Sequence, residues 1–100
     1  MAEVSPKVRA IVTNESRPTM PPHIKLRHDA GRGRWLILAP ERVFDPDDIA
    51  VEVLKLCDGQ RSVGDIADVL AKEYNAPSEE ISSDIIAMLQ DLADKGVVKT

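Results

Sequence analysis

One hundred residues, 43% of them hydrophobic, with a net charge of -4, make one small domain with little room for a deep active site. No apolar run nears the ~18 residues of a membrane span, Met1 to Lys7 lacks the apolar centre of a secretion signal, and a lone cysteine closes no internal disulfide. These features lead us to expect a soluble cytoplasmic protein without a membrane partner. Charge is uneven: residues 1 to 46 carry eight Lys/Arg against five Asp/Glu, and residues 47 to 100 carry five against twelve.

Residues 1 to 20 show no sustained period and hold Pro6, Pro18 and several short polar residues, with Pro21-Pro22 closing the stretch. Val8, Ala10, Ile11 and Val12 form an apolar island too short to bury itself. The composition reads as a flexible tail or interdomain linker, leaving residues 21 to 100 as the folded domain.

Strand patterns follow. His23 to His28 alternates apolar Ile24 and Leu26 with polar neighbours, and Asp29-Ala30-Gly31-Arg32-Gly33 supplies turn residues. Trp35-Leu36-Ile37-Leu38 is an apolar run expected of a strand covered on both faces or central in a sheet. Pro40 ends it, because proline has no N–H for a ladder. Arg42-Val43-Phe44 then resumes extended character for a few residues and is expected to be a short edge strand.

Three helical segments come next. Asp45 is expected to cap the first, with Pro46 at its first position, a stripe through Ile49, Val53, Leu56 and Cys57, and Gly59 as its stop. Ser62 with Asp65 forms a capping-box pair for the second, whose stripe is Val63, Ile66, Ala67, Leu70, Ala71 and Tyr74, before Asn75 as a left-handed terminator. Pro77 opens the third, which runs through Ile81, Ile85, Met88, Leu89 and Leu92 to Lys95-Gly96, with Ile86 and Ala93 partly off the stripe. Val97-Val98 either folds back onto the core or extends as a tail. The expected fold class is α+β: a small winged-helix-like domain with a three-stranded antiparallel sheet followed by a three-helix bundle.

Little in the chain suggests chemistry. Cys57 sits at a helix C-terminus beside Asp58, where dipole and carboxylate both oppose a thiolate, so it reads as structural. His23 and His28 would point to opposite faces of a strand, and no Cys/His cluster completes a metal site. Gly31 and Gly33 with Arg32 and Arg34 precede no helix N-terminus, so a hairpin turn explains them better than a phosphate loop. No catalytic residue, metal or cofactor is assigned. A winged-helix DNA binder is the alternative reading, but the helices that would approach DNA are acidic, with Lys72 and Lys95 as their cations, so no nucleic-acid partner is expected. A short edge strand at Arg42 to Phe44 instead suits β-augmentation by an extended peptide.

Arg34-Trp35-Leu36-Ile37-Leu38-Ala39-Pro40-Glu41-Arg42, Leu56-Cys57-Asp58-Gly59, Ser62 with Ile66, and Leu89-Gln90-Asp91-Leu92-Ala93-Asp94-Lys95-Gly96 together resemble the PqqD family of pyrroloquinoline quinone biosynthesis. The resemblance covers about residues 21 to 98. It implies a peptide chaperone that binds the precursor peptide PqqA and presents it to the radical SAM enzyme PqqE, sometimes fused to another pathway protein. Carried onto this chain, it implies peptide contacts at Arg42, Val43 and Phe44 and on the third helix at Ile85, Ile86, Leu89 and Gln90. Core packing is an equal reading for Ile85 and Leu89. Asp91, Asp94 and Lys95 are candidates for the surface that faces the partner enzyme.

Overall fold

The structure, a computed structural model, describes residues 11 to 100. A hairpin of β1 (Lys25–Asp29) and β2 (Arg34–Ala39) leads into β3 (Arg42–Phe44), followed by α1 (Asp48–Lys55), α2 (Val63–Tyr74) and α3 (Ser78–Asp94). The sheet is antiparallel in the order β1-β2-β3. The α+β architecture expected from the periodicities is therefore the one observed.

Asp29 builds the turn between β1 and β2. Its Oδ1 accepts from the N–H groups of Gly31 at 3.0 Å and Arg32 at 3.3 Å, its carbonyl accepts from Gly33 at 2.8 Å, and Gly33 takes the positive φ of 69° that the loop requires. The next turn is tighter, since Ala39 pairs with Arg42 and leaves only Pro40 and Glu41 between the strands. Successive residues of β2 point to opposite faces. Ile37 is buried and Ala39 packs on the core, whereas Leu36 and Leu38, on the other face, stay partly exposed. The apolar run thus marks a central strand with one face in the core. Trp35 is braced by Lys55, whose Nζ lies 4.7 Å from the ring centroid, and by His28, edge-on at 5.2 Å.

The start of α1 departs from the sequence reading. Asp47 is the cap, its Oδ1 accepting from Ala50 N–H at 2.8 Å, and Pro46 lies outside the helix. Asp45 instead pairs with Arg34 at 2.9 Å, tying the chain that leaves β3 back to β2. Both aspartates are suitable caps by type; the pairing of Asp45 with Arg34 leaves the cap to Asp47. α1 also stops earlier than expected, at Lys55 with Leu56 as its cap, short of Cys57 and Gly59, whereas α2 follows its signals: Ser62 and Asp65 form a reciprocal capping box, and Asn75 adopts the left-handed conformation with φ 52°. α3 ends in a Schellman arrangement, with Gly96 at φ 80°, Val97 N–H bonded to the Leu92 carbonyl at 2.9 Å and Gly96 N–H to that of Ala93 at 3.0 Å. This turn folds Val97 and Val98 back into the core, beside Val53, Val63, Ile66, Leu70, Ile85 and Leu89. Each such side chain contributes about 1.5–3 kcal/mol of burial.

The largest departure is at the N-terminal end. The tail expected over residues 1 to 20 falls outside the described residues for its first ten positions, but residues 12 to 20 are laid along the helices. Val12 is 3% exposed in the core, and its N–H donates to Gln90 Oε1 at 3.0 Å. The carbonyls of Asn14 and Ser16 accept from Gly64 at 3.0 Å and Val63 at 2.8 Å, two of the N–H groups that the first turn of α2 cannot satisfy itself. The Asn14 side chain also meets the Ser82 hydroxyl. Farther on, the Pro18 carbonyl accepts from Gly59 at 3.0 Å, and Thr19 and Lys99 exchange two backbone bonds of 2.9 and 2.8 Å. We call residues 12 to 19 the strap. Among the described residues no helix is long and apolar enough to cross a membrane.

Candidate functional site

β3 bonds to β2 on one side, through Ile37–Phe44, Leu38–Val43 and Ala39–Arg42, and no described strand pairs with its other side. Its three residues divide by direction. Phe44 turns inward and packs on the core, Arg42 lies on the same side with its guanidinium 4.8 Å from the Phe44 ring centroid, and Val43 points outward, 63% exposed. An edge strand with open backbone groups is a template for an added strand.

Beside this edge runs a groove of about 240 Å³ between β3 and α3. Ile37, Phe44, Ala50, Met88 and Leu92 give it an apolar floor; Asp45, Asp47, Asp91 and Lys95 form a charged rim. Lys95 Nζ donates to Asp91 Oδ2 at 2.9 Å, so one turn of α3 holds both signs in place above the apolar floor. Backbone acceptors along one wall and apolar side chains below are what an extended peptide needs.

The structure distributes the sequence-assigned residues over different surroundings. Arg42, Val43 and Phe44 form the open edge. Ile85 and Leu89 are core residues, 1% and 0% exposed, and neither lines the groove. Ile86 and Gln90 lie on the flank of α3 against the strap: Ile86 shares a concavity with Asn14 and Ser82, and Gln90 accepts from Val12 and donates to Asp94 at 3.1 Å. Asp91 and Lys95 line the β3 groove, and Asp94 sits with Gln90. Sequence reasoning missed Met88 as a groove residue, having placed it in the core stripe. The readable signal was the i, i+3, i+4, i+7 spacing of Met88, Asp91, Leu92 and Lys95, which puts them on one face.

Cys57 is buried, and its thiol donates to the Val53 carbonyl at 3.2 Å. Burial, with the Asp58 charge adding to it, pushes this thiol up to about 12, so it stays protonated and unreactive at neutral pH. Asp58 itself is held below the usual carboxylate range by the N–H groups of Arg61 and Gln60, then by the Arg61 charge. Among the described residues no group of three or more His, Cys, Asp or Glu is placed to hold a metal ion.

A small winged-helix-like α+β domain, with an open edge strand running beside a helix, is the class that this fold and groove define. A family model described as coenzyme PQQ synthesis protein D (PqqD) matches residues 34–98. A PqqA binding protein of Bradyrhizobium diazoefficiens is 64% identical over 85 residues, covering 85% of this chain and 82% of that protein. The bifunctional coenzyme PQQ synthesis protein C/D of Methylorubrum extorquens is 46% identical over 82 residues, which are 82% of this chain and 22% of that longer protein. Among solved structures, the solution structure of the PqqD truncation of Methylobacterium extorquens PqqCD superposes with a TM-score of 0.79 at 43% identity, covering 89% of this chain and 95% of that one; it is described as a functional, stand-alone recognition element for ribosomally synthesised, modified peptides. The chain belongs to the PqqD family.

Proposed function

We propose that this chain is a peptide chaperone of pyrroloquinoline quinone biosynthesis: it binds the precursor peptide PqqA as a fourth strand on β3 and presents it to the radical SAM enzyme PqqE. The observation that carries this reading is the edge of Arg42 to Phe44, with which no further described strand pairs, beside an apolar groove on α3. Support also comes from the relatives named as PqqA binding proteins and from the structural neighbour described as a peptide recognition element.

On this reading the guest's backbone pairs with β3, and its alternate side chains enter the groove over Phe44, Met88 and Leu92. Asp91 and Lys95, on the groove rim, contact the guest. Asp94 stands behind them with Gln90. Ile85 and Leu89 belong to the core beneath, while Ile86 and Gln90 lie against the strap. The domain carries out no reaction of its own; its contribution is to raise the local concentration and fix the orientation of a peptide at another protein's active site. On this reading it works in the cytoplasm, free of membrane and nucleic acid.

The test is a titration of isotopically labelled chain with PqqA, followed by amide chemical shifts. Shifts concentrated in residues 40 to 45 and along α3 are expected. Shifts confined to α2 would contradict strand addition.

A further inference from the structure

The face of the sheet that points away from the helices is chemically distinct from the edge and the groove. By strand alternation and register it carries Leu36 and Leu38 from β2, Val43 from β3, and Lys25 and Arg27 from β1, with Lys25 opposite Leu38 and Arg27 opposite Leu36. Leu36 and Leu38 are half-buried, and with Arg27 they line an open concavity of about 300 Å³ that ends at His28 to Ala30. Neither Lys25 nor Arg27 forms an ion pair with a described residue. The result is an apolar strip with a cationic border, in a protein whose helical half is strongly acidic.

Val43 joins this face to the proposed peptide edge. In an added fourth strand, every second side chain points to the same side as Val43 and continues the strip. The outer face is then a composite of this chain and its guest, complete only when the peptide is bound. A cation border excludes a basic partner surface, and the Leu36, Leu38 and Val43 strip favours a protein over nucleic acid.

We propose that this outer face, extended by the guest strand, is the docking surface for the peptide-modifying enzyme, which meets it with an apolar patch bordered by carboxylates. The inference rests on strand addition at β3 and deepens it. It puts the enzyme on the sheet, away from the α3 end, and it couples enzyme affinity to peptide occupancy through surface shared by the two chains. The steering charges set association rate and its salt dependence, and the apolar strip sets residence time.

The experiment measures binding of PqqE to the full chain, with and without saturating PqqA, for the unaltered protein and for Lys25→Glu, Arg27→Glu and Leu38→Ser. PqqA should tighten PqqE binding to the unaltered chain. Each charge reversal should weaken PqqE binding about tenfold or more, while leaving PqqA affinity within about twofold. Lys25 and Arg27 are exposed, so these two variants decide the matter even if Leu38→Ser folds poorly. PqqE affinity unchanged in both, with PqqA binding intact, overturns the proposal. So does a concentration-dependent dimer that Arg27→Glu dissolves, or duplex DNA binding that it abolishes, because the face then belongs to another occupant. Failure of the unaltered chain to bind PqqA refutes strand addition instead; loss of PqqE binding in the charge variants would then still locate the enzyme on this face.

Discussion

Replacing Val12 with alanine tests whether the strap belongs to the fold. Val12 is 3% exposed and packs in the main core, whereas its neighbour Ile11 is 60% exposed. Val12→Ala removes two methyl groups' worth of burial, about 1.5 kcal/mol, and leaves a small cavity, for a total near 2 kcal/mol. In a domain of this size that corresponds to a melting point lower by about 8–16 °C. Ile11→Ala, at an exposed site, should change stability by no more than about 0.5 kcal/mol. The pair is measured by urea and thermal unfolding. A second readout is local: unseating the strap should speed hydrogen exchange at Val63 and Gly64, whose N–H groups are held by the Ser16 and Asn14 carbonyls. Equal, small effects of the two substitutions, with exchange at Val63 and Gly64 unchanged, would refute the assignment of residues 12 to 19 to the folded domain.

Two further outcomes follow from the site and the core. Met88→Ala, in the groove beside β3, should weaken PqqA binding about tenfold by fluorescence anisotropy, and Ile86→Ala, on the strap side of α3, by less than about threefold; the reverse order would move the guest to the other flank of α3. Cys57 keeps its proton in the folded state up to about 12, against an ordinary value of 9.0, while the unfolded thiol ionises earlier. Its contribution is therefore complete below pH 9 and is lost as pH rises toward 12, at up to about 1.4 kcal/mol per pH unit. Cys57→Ala should show a shallower alkaline decline in unfolding free energy, and parallel profiles would contradict the assignment.

Elements with strong local signals were legible in the sequence. Ser62 with Asp65, Asn75 and Gly96 fix the ends of α2 and α3 by chemistry within a few residues, and the alternation around Ile24 and Leu26 and the break at Pro40 mark the sheet. The cap of α1 was misread because Asp45 and Asp47 are equivalent by type, and only the pairing of Asp45 with Arg34 separates them. The strap was missed because it has no period of its own: its order comes from donors on Gly59, Val63 and Gly64, more than 40 residues away. In the candidate site, the edge at Arg42 to Phe44 was readable from its shortness and its proline. The α3 partners were less so, because Ile85, Met88, Leu89 and Gln90 are all within two turns. Which of them faces β3, the core or the strap depends on helix rotation, which residue type alone does not reveal.

Hydrogen exchange of β3 in the free and peptide-bound chain tests the central claim most directly, because an added strand must occupy the backbone groups that β3 leaves open. Saturating PqqA should slow exchange within Arg42 to Phe44 about tenfold or more, beyond any general slowing of the core amides of Ile66 and Leu70. Tight PqqA binding that leaves exchange in β3 unaltered would contradict strand addition.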